Sequence, residues 1–496
     1  MNINALSVFL ERLDKVFGNL ERERLEVRWR WLRKLPVPPT SGDRIRLVGA
    51  DQGIWRGIAN GYVASAGIPE LHHRYRRYYH LLASGHIEND LELRELKQET
   101  SRRFESFTLM LDGKPARVPD LLRAVMVEAD SMRRERAYAA LSRLNRDLVP
   151  LVVQAAGLRN RLAQKYGYRD YGSFLFGSQD LTAALWHDLH NDLLRITASR
   201  QETVLEEVKA YLSKQDLRAG DLAYAVFYRN ESVNHVFLWE ILPAVLKRTL
   251  ELLGIEDPIE TVHFEDEYDS ERPRFEFVQT ASGQVSMYAQ ETRGMRFYRA
   301  CFQAFGEAVS VVLAHESGPV MAELECACFR KAFGMFFSGL LGNPEWLHRV
   351  YEARPDIARH VASADGMRLL QTRLLGAAAA MELLLYQAPD EWPGQYGEVY
   401  QEHVLLNPGE DHFVLPLQQY MLEPGRTMFD HAARMLAAVL TAGLKQHCGG
   451  ILESRAGTLI VNGLCNGMRR ASWRARFEST FGKLDMTGAE GEFTNV

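Results

Sequence analysis

Apolar residues recur every three or four positions along most of this chain, between faces crowded with charge. That spacing predicts a protein built almost entirely of α-helices. The opening segment, MNINALSVFLERLDKVFGNLERERLEVRWRWL, sets the pattern. It lacks a basic start, a continuous apolar core and a small-residue cleavage site, so it reads as an amphipathic helix over residues 1–34 and not as a signal peptide. Proline is scarce, with 18 residues in all, and three breaks stand out. Leu35–Asp51 is a proline-rich linker, and Leu217–Ala225 is a connection around Gly220. The third break, residues 258–290, is the one predicted sheet: FEFVQT and QVSMYAQE flank the turn residues Ala281-Ser282-Gly283 as a β-hairpin. The run His72–His80 (HHRYRRYYH) spreads its cations around a helix and predicts a solvated helix or channel rim. No internal repeat or low-complexity tract occurs.

Composition adds bounds to this picture. With 496 residues and 46% hydrophobic content, the chain can bury a core large enough for one domain of two lobes, spanning 1–496. A net charge of -5 creates no global field toward nucleic acid or an anionic membrane. No stretch of about 18 apolar residues predicts a membrane span. The 25% charged content argues for order, apart from a flexible tail at 487–496. Five cysteines, Cys301, Cys326, Cys328, Cys448 and Cys465, are odd in number and lack zinc-finger spacing. They predict reduced thiols in a cytoplasmic protein. Cys326 and Cys328 point to different helix faces and read as small buried residues. Cys301 has no neighbour in sequence that would activate its thiol.

Candidate chemistry concentrates in residues 301–347. Gln303-Ala304-Phe305-Gly306-Glu307 is followed 28 residues after Gln303 by Lys331, within Phe329-Arg330-Lys331-Ala332-Phe333-Gly334, then Ser338, Pro344 and Leu347. Upstream lie Leu158-Arg159-Asn160 and Gly167-Tyr168-Arg169-Asp170-Tyr171. In order and spacing these residues resemble the gluzincin peptidases related to angiotensin-converting enzyme and to the thimet-type oligopeptidases, in the style of their bacterial relatives. In that family a helical His-Glu-x-Gly-His supplies two zinc ligands and a general base, and a glutamate 28 or 29 residues after the first histidine is the third ligand.

The resemblance implies a large, two-lobed, mostly helical peptidase-like fold with a deep central channel and a short β-hairpin beside the degenerate site. It does not carry the chemistry. Gln303 stands for the first histidine, Ala304 for the general base, Glu307 for the second histidine and Lys331 for the ligand glutamate. Glutamine is a poor zinc ligand, lysine would have to lose its proton, and alanine cannot take one from water. The opposite charges of Glu307 and Lys331 instead predict an ion pair tying the two helices, with Gln303 bridging.

Other readings of the region carry less. His315-Glu316-Ser317-Gly318-Pro319, with Glu323 and Glu325, is half of a zinc motif, and a zinc peptidase using an atypical site around His315 is a minor alternative. Pro319 would break the helix that such a motif needs. The family's late transition-state segment matches Tyr420–Leu444. Tyr420 falls at the histidine position and Thr427 and Asp430 at the tyrosine positions, or His431 enters after a one-turn shift. In the relatives an active-site strand holds substrate by strand addition, so Val285, Met287 and Ala289, with Tyr420 and His431, are the expected substrate-binding residues.

The resulting expectation is a metal-free pseudopeptidase that binds a peptide, a peptide-like ligand or a partner chain without hydrolysis, and without metal, cofactor, nucleic acid or membrane. A homodimer is compatible with this sequence. The alternative is a repurposed, metal-independent enzyme acting on a small amine or acyl substrate, with Glu307, Lys331 and Gln303 as its catalytic residues. An open small-molecule pocket around Glu307 and Lys331 would favour the second reading.

Overall fold

A computed structural model of the chain describes residues 3–35, 51–228, 236–265, 273–279, 284–290, 292, 294–314, 327–351, 361, 367–409, 413–467 and 470–494. The fold is mostly helical, as the periodicity predicts, with few short strands. Most of the linker 35–51, the turn at 281–283, Cys326 and the stretch from His315 to Glu325 lie outside the described residues.

The N-terminal layer comprises α1 (Ile3–Leu32), α2 (Gln52–Ala64), α3 (Pro69–Glu88) and α4 (Leu91–Ser106). Leu6, Leu10, Leu13 and Phe17 form one stripe of α1 and pack with Ile58 of α2 and Tyr75, Tyr78 and Leu82 of α3 in a small separate core. The cationic aromatic run on α3 is therefore not a solvated face. His73, Arg74, Tyr75, Arg77, Tyr78 and His80 are buried. Arg74 pairs with Asp14 at 2.6 Å, and Arg76 and Arg77 both pair with Asp180. The sequence shows the cations but not the distant aspartates that draw them inward.

A two-stranded ribbon, β1 (Thr108–Leu111) and β2 (Lys114–Arg117), leads into α5 (Val118–Val127) and the 34-residue α6 (Ser131–Gln164). After α6 come α7 (Tyr171–Ser178), α8 (Ala183–Ile196), α9 (Ala198–Leu212), α10 (Ala219–Tyr228) and α11 (Leu242–Leu253). The connection expected at Leu217–Ala225 is thus mostly helix. Asp221 in the first turn of α10 takes Lys214 Nζ at 2.7 Å and the backbone N–H of Arg218 at 3.1 Å, which anchors the helix start despite Gly220.

The sheet has three strands in the order β3 (Ile259–Glu265), β5 (Val285–Gln290), β4 (Phe275–Gln279). The predicted hairpin strands β4 and β5 are antiparallel, with Phe277 opposite Met287. The strand β3 adds to β5 in parallel, with Val262 opposite Met287. The helix α1 reaches this sheet through Arg28, whose Nε donates to Glu276 at 2.7 Å.

The main core surrounds α12 (Met295–Leu313), α13 (Ala327–Leu340), α14 (Pro344–Tyr351) and α15 (Met367–Gln387). It continues through α16 (Tyr396–Val404), α17 (Leu417–Leu422), α18 (Arg426–Cys448), α19 (Ser454–Thr458) and α20 (Trp473–Phe481). A one-turn helix, α21 (Gly491–Thr494), lies within the expected tail. Among the described residues, only α15 is long and apolar enough to cross a membrane, and 67% of that window is buried inside the fold. It also carries Arg368, Arg373 and Glu382, which suits a core helix.

Candidate functional site

The site begins where α12 crosses α13. A Cβ added at Gly334 would lie 2.4 Å from the carbonyl oxygen of Gln303 and 2.8 Å from Glu307 Cγ. One added at Gly306 would lie 2.8 Å from the Gly334 Cα. These two glycines let the helix backbones touch, and each follows its site residue, Gln303 or Lys331, by three positions. Phe305 and Phe337 close the apolar side edge to face, with ring centroids 5.8 Å apart.

This crossing brings Gln303, Glu307 and Lys331 into one neighbourhood, as the resemblance implies. Their partners differ from the expectation. Gln303 Nε2 donates to Glu307 Oε1 at 3.1 Å, one helical turn away. Lys331 Nζ does not pair with Glu307; it donates to Asp430 Oδ1, on the first turns of α18. Arg426 Nε stands 3.7 Å from the other oxygen of Asp430. The predicted Glu307–Lys331 pair is therefore replaced by a Lys331–Asp430–Arg426 cluster. A third helix supplies the closer anion.

Burial pushes the Glu307 carboxyl up from its ordinary value, opposed by the Gln303 hydrogen bond and the nearby Lys331 and Arg330 charges. Glu307 thus holds its proton more tightly than a surface glutamate. Cys301 and Cys328 are buried, and burial drives both thiols well above their usual range, so neither is an activated nucleophile.

The donor set does not fit zinc. The amide of Gln303 donates to the carboxylate of Glu307, and the Lys331 ammonium is engaged by Asp430. Among the described residues, no group of three or more histidines, cysteines and acids is arranged to hold a metal ion.

The expected substrate-binding residues lie elsewhere. Val285, Met287 and Ala289 are fully buried, and β5 is the middle strand with both edges paired. Strand addition to β5 has no free backbone edge, so that expectation is corrected. Tyr420 is also buried; its carbonyl accepts from Arg159 at 3.2 Å and its hydroxyl donates to Ala378 O. Thr427 is buried near the start of α18, where Glu382 accepts from the N–H groups of Gly425 at 2.6 Å and Met428 at 3.2 Å.

His431 belongs to a buried chain of imidazoles, not to a ligand surface. His403 Nδ1 donates to Val399 O at 2.6 Å, because a carbonyl can only accept. With these rings neutral, His403 Nε2 then accepts from His190 Nε2 at 2.7 Å, and His190 Nδ1 accepts from His431 Nε2 at 2.8 Å. Burial holds all three below the ordinary histidine range, helped by neighbouring imidazoles for His190 and His431 and by Arg373 for His403, to about 4 for His403 and about 3 for His431.

No family model matches this chain, and no curated protein matches it in sequence.

A cavity of about 380 Å³ opens between α12, α13, α15 and α18, within the size range of small-molecule sites, roughly 300–1,000 Å³. Gln303 lines it; Glu307, Lys331, Tyr420 and His431 are not among its described lining residues. Its polar wall includes Arg296, Arg299, Arg368 and Arg434. Sequence reasoning passed over these arginines, although Arg296, Arg299 and Gln303 recur on one face of α12 at a spacing that could have pointed to them.

Proposed function

We propose that this chain is a metal-free pseudopeptidase: a binding protein that takes a peptide-like or small ligand without hydrolysing it. In this reading its helices form two lobes of a peptidase-like fold, and the cavity beside Gln303 is part of the channel between them. The observation that carries the proposal is how the former ligand positions are engaged. Gln303 holds Glu307, and Asp430 holds Lys331, so no side chain there is placed both to bind zinc and to activate water. The partly open cavity beside Gln303 is of ligand size. Mass spectrometry of compounds that copurify with the full chain, together with peptide hydrolysis assays run with and without added zinc, tests the reading. A retained ligand and no hydrolysis are expected; stoichiometric zinc with zinc-dependent cleavage would overturn it.

One observation favours a second reading, a repurposed enzyme without metal. The burial that raises the Glu307 proton affinity shifts it in the direction a general acid needs. Under this reading, Glu307→Gln abolishes turnover of the copurified compound while leaving its binding intact. Unchanged turnover refutes it.

A further inference from the structure

The stretch expected as a tail, 487–496, supplies part of the wall of the cavity beside Gln303: Gly491, Glu492 and Phe493 line it. We propose that the turn α21 (Gly491–Thr494) is a gate on this cavity, docked in the structure and lifted when a ligand enters or leaves. The proposal rests on the binding reading above and adds how access to that site is controlled. Along α18 the lining residues run from Ala437 and Ala438 through Thr441, all buried, to Lys445, which is exposed. The cavity therefore meets solvent at the Lys445 end of that helix, and α21 sits at that end. There Glu492 accepts from Lys445, and Phe493 packs against the main core.

The segment leading to the gate is fixed. Leu484, Met486 and Ala489 are buried in the main core. The Thr487 N–H donates to Asp485 Oδ1 at 2.9 Å, and the Ala489 N–H donates to Met486 O at 3.0 Å. Gly488, with φ +79°, takes the left-handed conformation that glycine adopts freely. It lies against α18, where a Cβ on it would stand 4.0 Å from the Ala442 Cβ. Past Ala489 the hold changes character. The turn is closed by the Glu492 N–H on Ala489 O and the Phe493 N–H on Glu490 O, both at 3.0 Å. A single helical turn has too few such bonds to stand without its docking contacts. Its ion pair to Lys445 is partly exposed, and such pairs are weak and screened by salt. Gly491 leaves the backbone free to swing at the start of the turn. Lifting α21 uncovers the cavity wall near Thr441 while Leu484, Met486 and Ala489 stay in the core, so the gate opens at little expense to the rest of the fold.

The test needs no ligand. Thr441→Cys places a thiol in the buried wall behind the turn, and its alkylation by N-ethylmaleimide is followed in the full chain. Peptide mass mapping separates that position from the native cysteines. Labelling at 441 is expected to be slow and to rise about fivefold or more when either Phe493→Ala or Lys445→Glu is added. Combining Lys445→Glu with Glu492→Lys restores the ion pair in reverse and should return labelling to its starting rate. Cys301, Cys328 and Cys465 are buried in the core and serve as internal controls; none should label faster in any variant. Ala438→Cys, on the same wall, replaces Thr441→Cys if that variant fails to fold. The proposal is overturned if neither Phe493→Ala nor Lys445→Glu speeds labelling at the cavity wall. It is also overturned if charge reversal does not restore protection, or if the core cysteines become reactive together with position 441. Zinc-dependent peptide cleavage would sink the binding reading and leave the labelling result standing, so the two failures are separable.

Discussion

A double-mutant cycle on Lys331 and Asp430 tests the contact between α13 and α18 most directly. The single changes are Lys331→Met and Asp430→Asn, combined in a double variant, with a parallel cycle pairing Lys331→Met and Glu307→Gln. Two opposite charges in contact attract by roughly 4 kcal/mol at an effective dielectric of about 20, and desolvation offsets much of this. Exposed pairs retain about 0.2–1 kcal/mol, and breaking a fully buried pair costs about 3–5 kcal/mol. The Lys331 and Asp430 side chains are 22% and 23% exposed, which places their coupling between these limits, at about 1–2 kcal/mol. Arg426, 3.7 Å from Asp430, shelters that carboxylate when the lysine is lost and keeps the value near the lower end. Lys331 and Glu307 make no direct pair, so their coupling should stay below about 0.5 kcal/mol. Scanning calorimetry reads these differences as shifts of about 2 °C or less per kcal/mol at this chain length. A Lys331–Glu307 coupling equal to or larger than the Lys331–Asp430 coupling would refute the pairing described above.

Three further outcomes follow from the packing. Gly334→Ala drives a methyl group to 2.4 Å from the Gln303 carbonyl oxygen, so the α12–α13 crossing must open. A destabilisation of about 1–3 kcal/mol is expected, and an unchanged thermal midpoint would contradict the close crossing. Arg159 donates to both oxygens of Glu88 at 2.9 Å and to Met421 O at 2.6 Å; Glu88 keeps Lys97 at 2.7 Å and the Tyr171 hydroxyl at 2.6 Å, so Arg159→Met should cost about 1.5–3 kcal/mol in denaturant unfolding, the worth of charged hydrogen bonds. Stability should also fall as the solution is acidified. His190, His403 and His431 stay neutral in the fold, with Arg373, Arg434 and His187 opposing their protonation. Below about pH 6.5 the unfolded chain takes up protons that the folded chain refuses, and each histidine then removes up to about 2 kcal/mol by pH 5. His80, lowered to about 3, acts in the same direction. Glu382, raised to about 7 by burial, and Glu307, also raised by burial, oppose them, since their unfolded forms give up protons that the fold retains. The four histidines outnumber these two carboxyls, so a thermal midpoint that is flat or rises from pH 7 to pH 5 would refute this balance.

The apolar spacing along the chain determined the helices by itself, because a 3.6-residue period is a local property written into each segment. The hairpin strands β4 and β5 were legible for the same reason, through alternation on either side of a turn. That Gln303 and Lys331 lie near each other was expected only through the family resemblance their 28-residue spacing carries. Which charge Lys331 meets was a different matter. Asp430 lies 99 residues away on α18, and only the packing of α18 against α13 sets it closer than Glu307. The third strand β3 likewise decided that β5 is interior, which removed the edge that strand addition needs. His431 reads as a polar residue on a helix, yet the meeting of α8, α16 and α18 buries it among other imidazoles. Side-chain partners and cavity walls depend on where distant helices cross, and no local period records that. The arginines around the cavity are visible one at a time in the sequence; their convergence exists only in the tertiary structure.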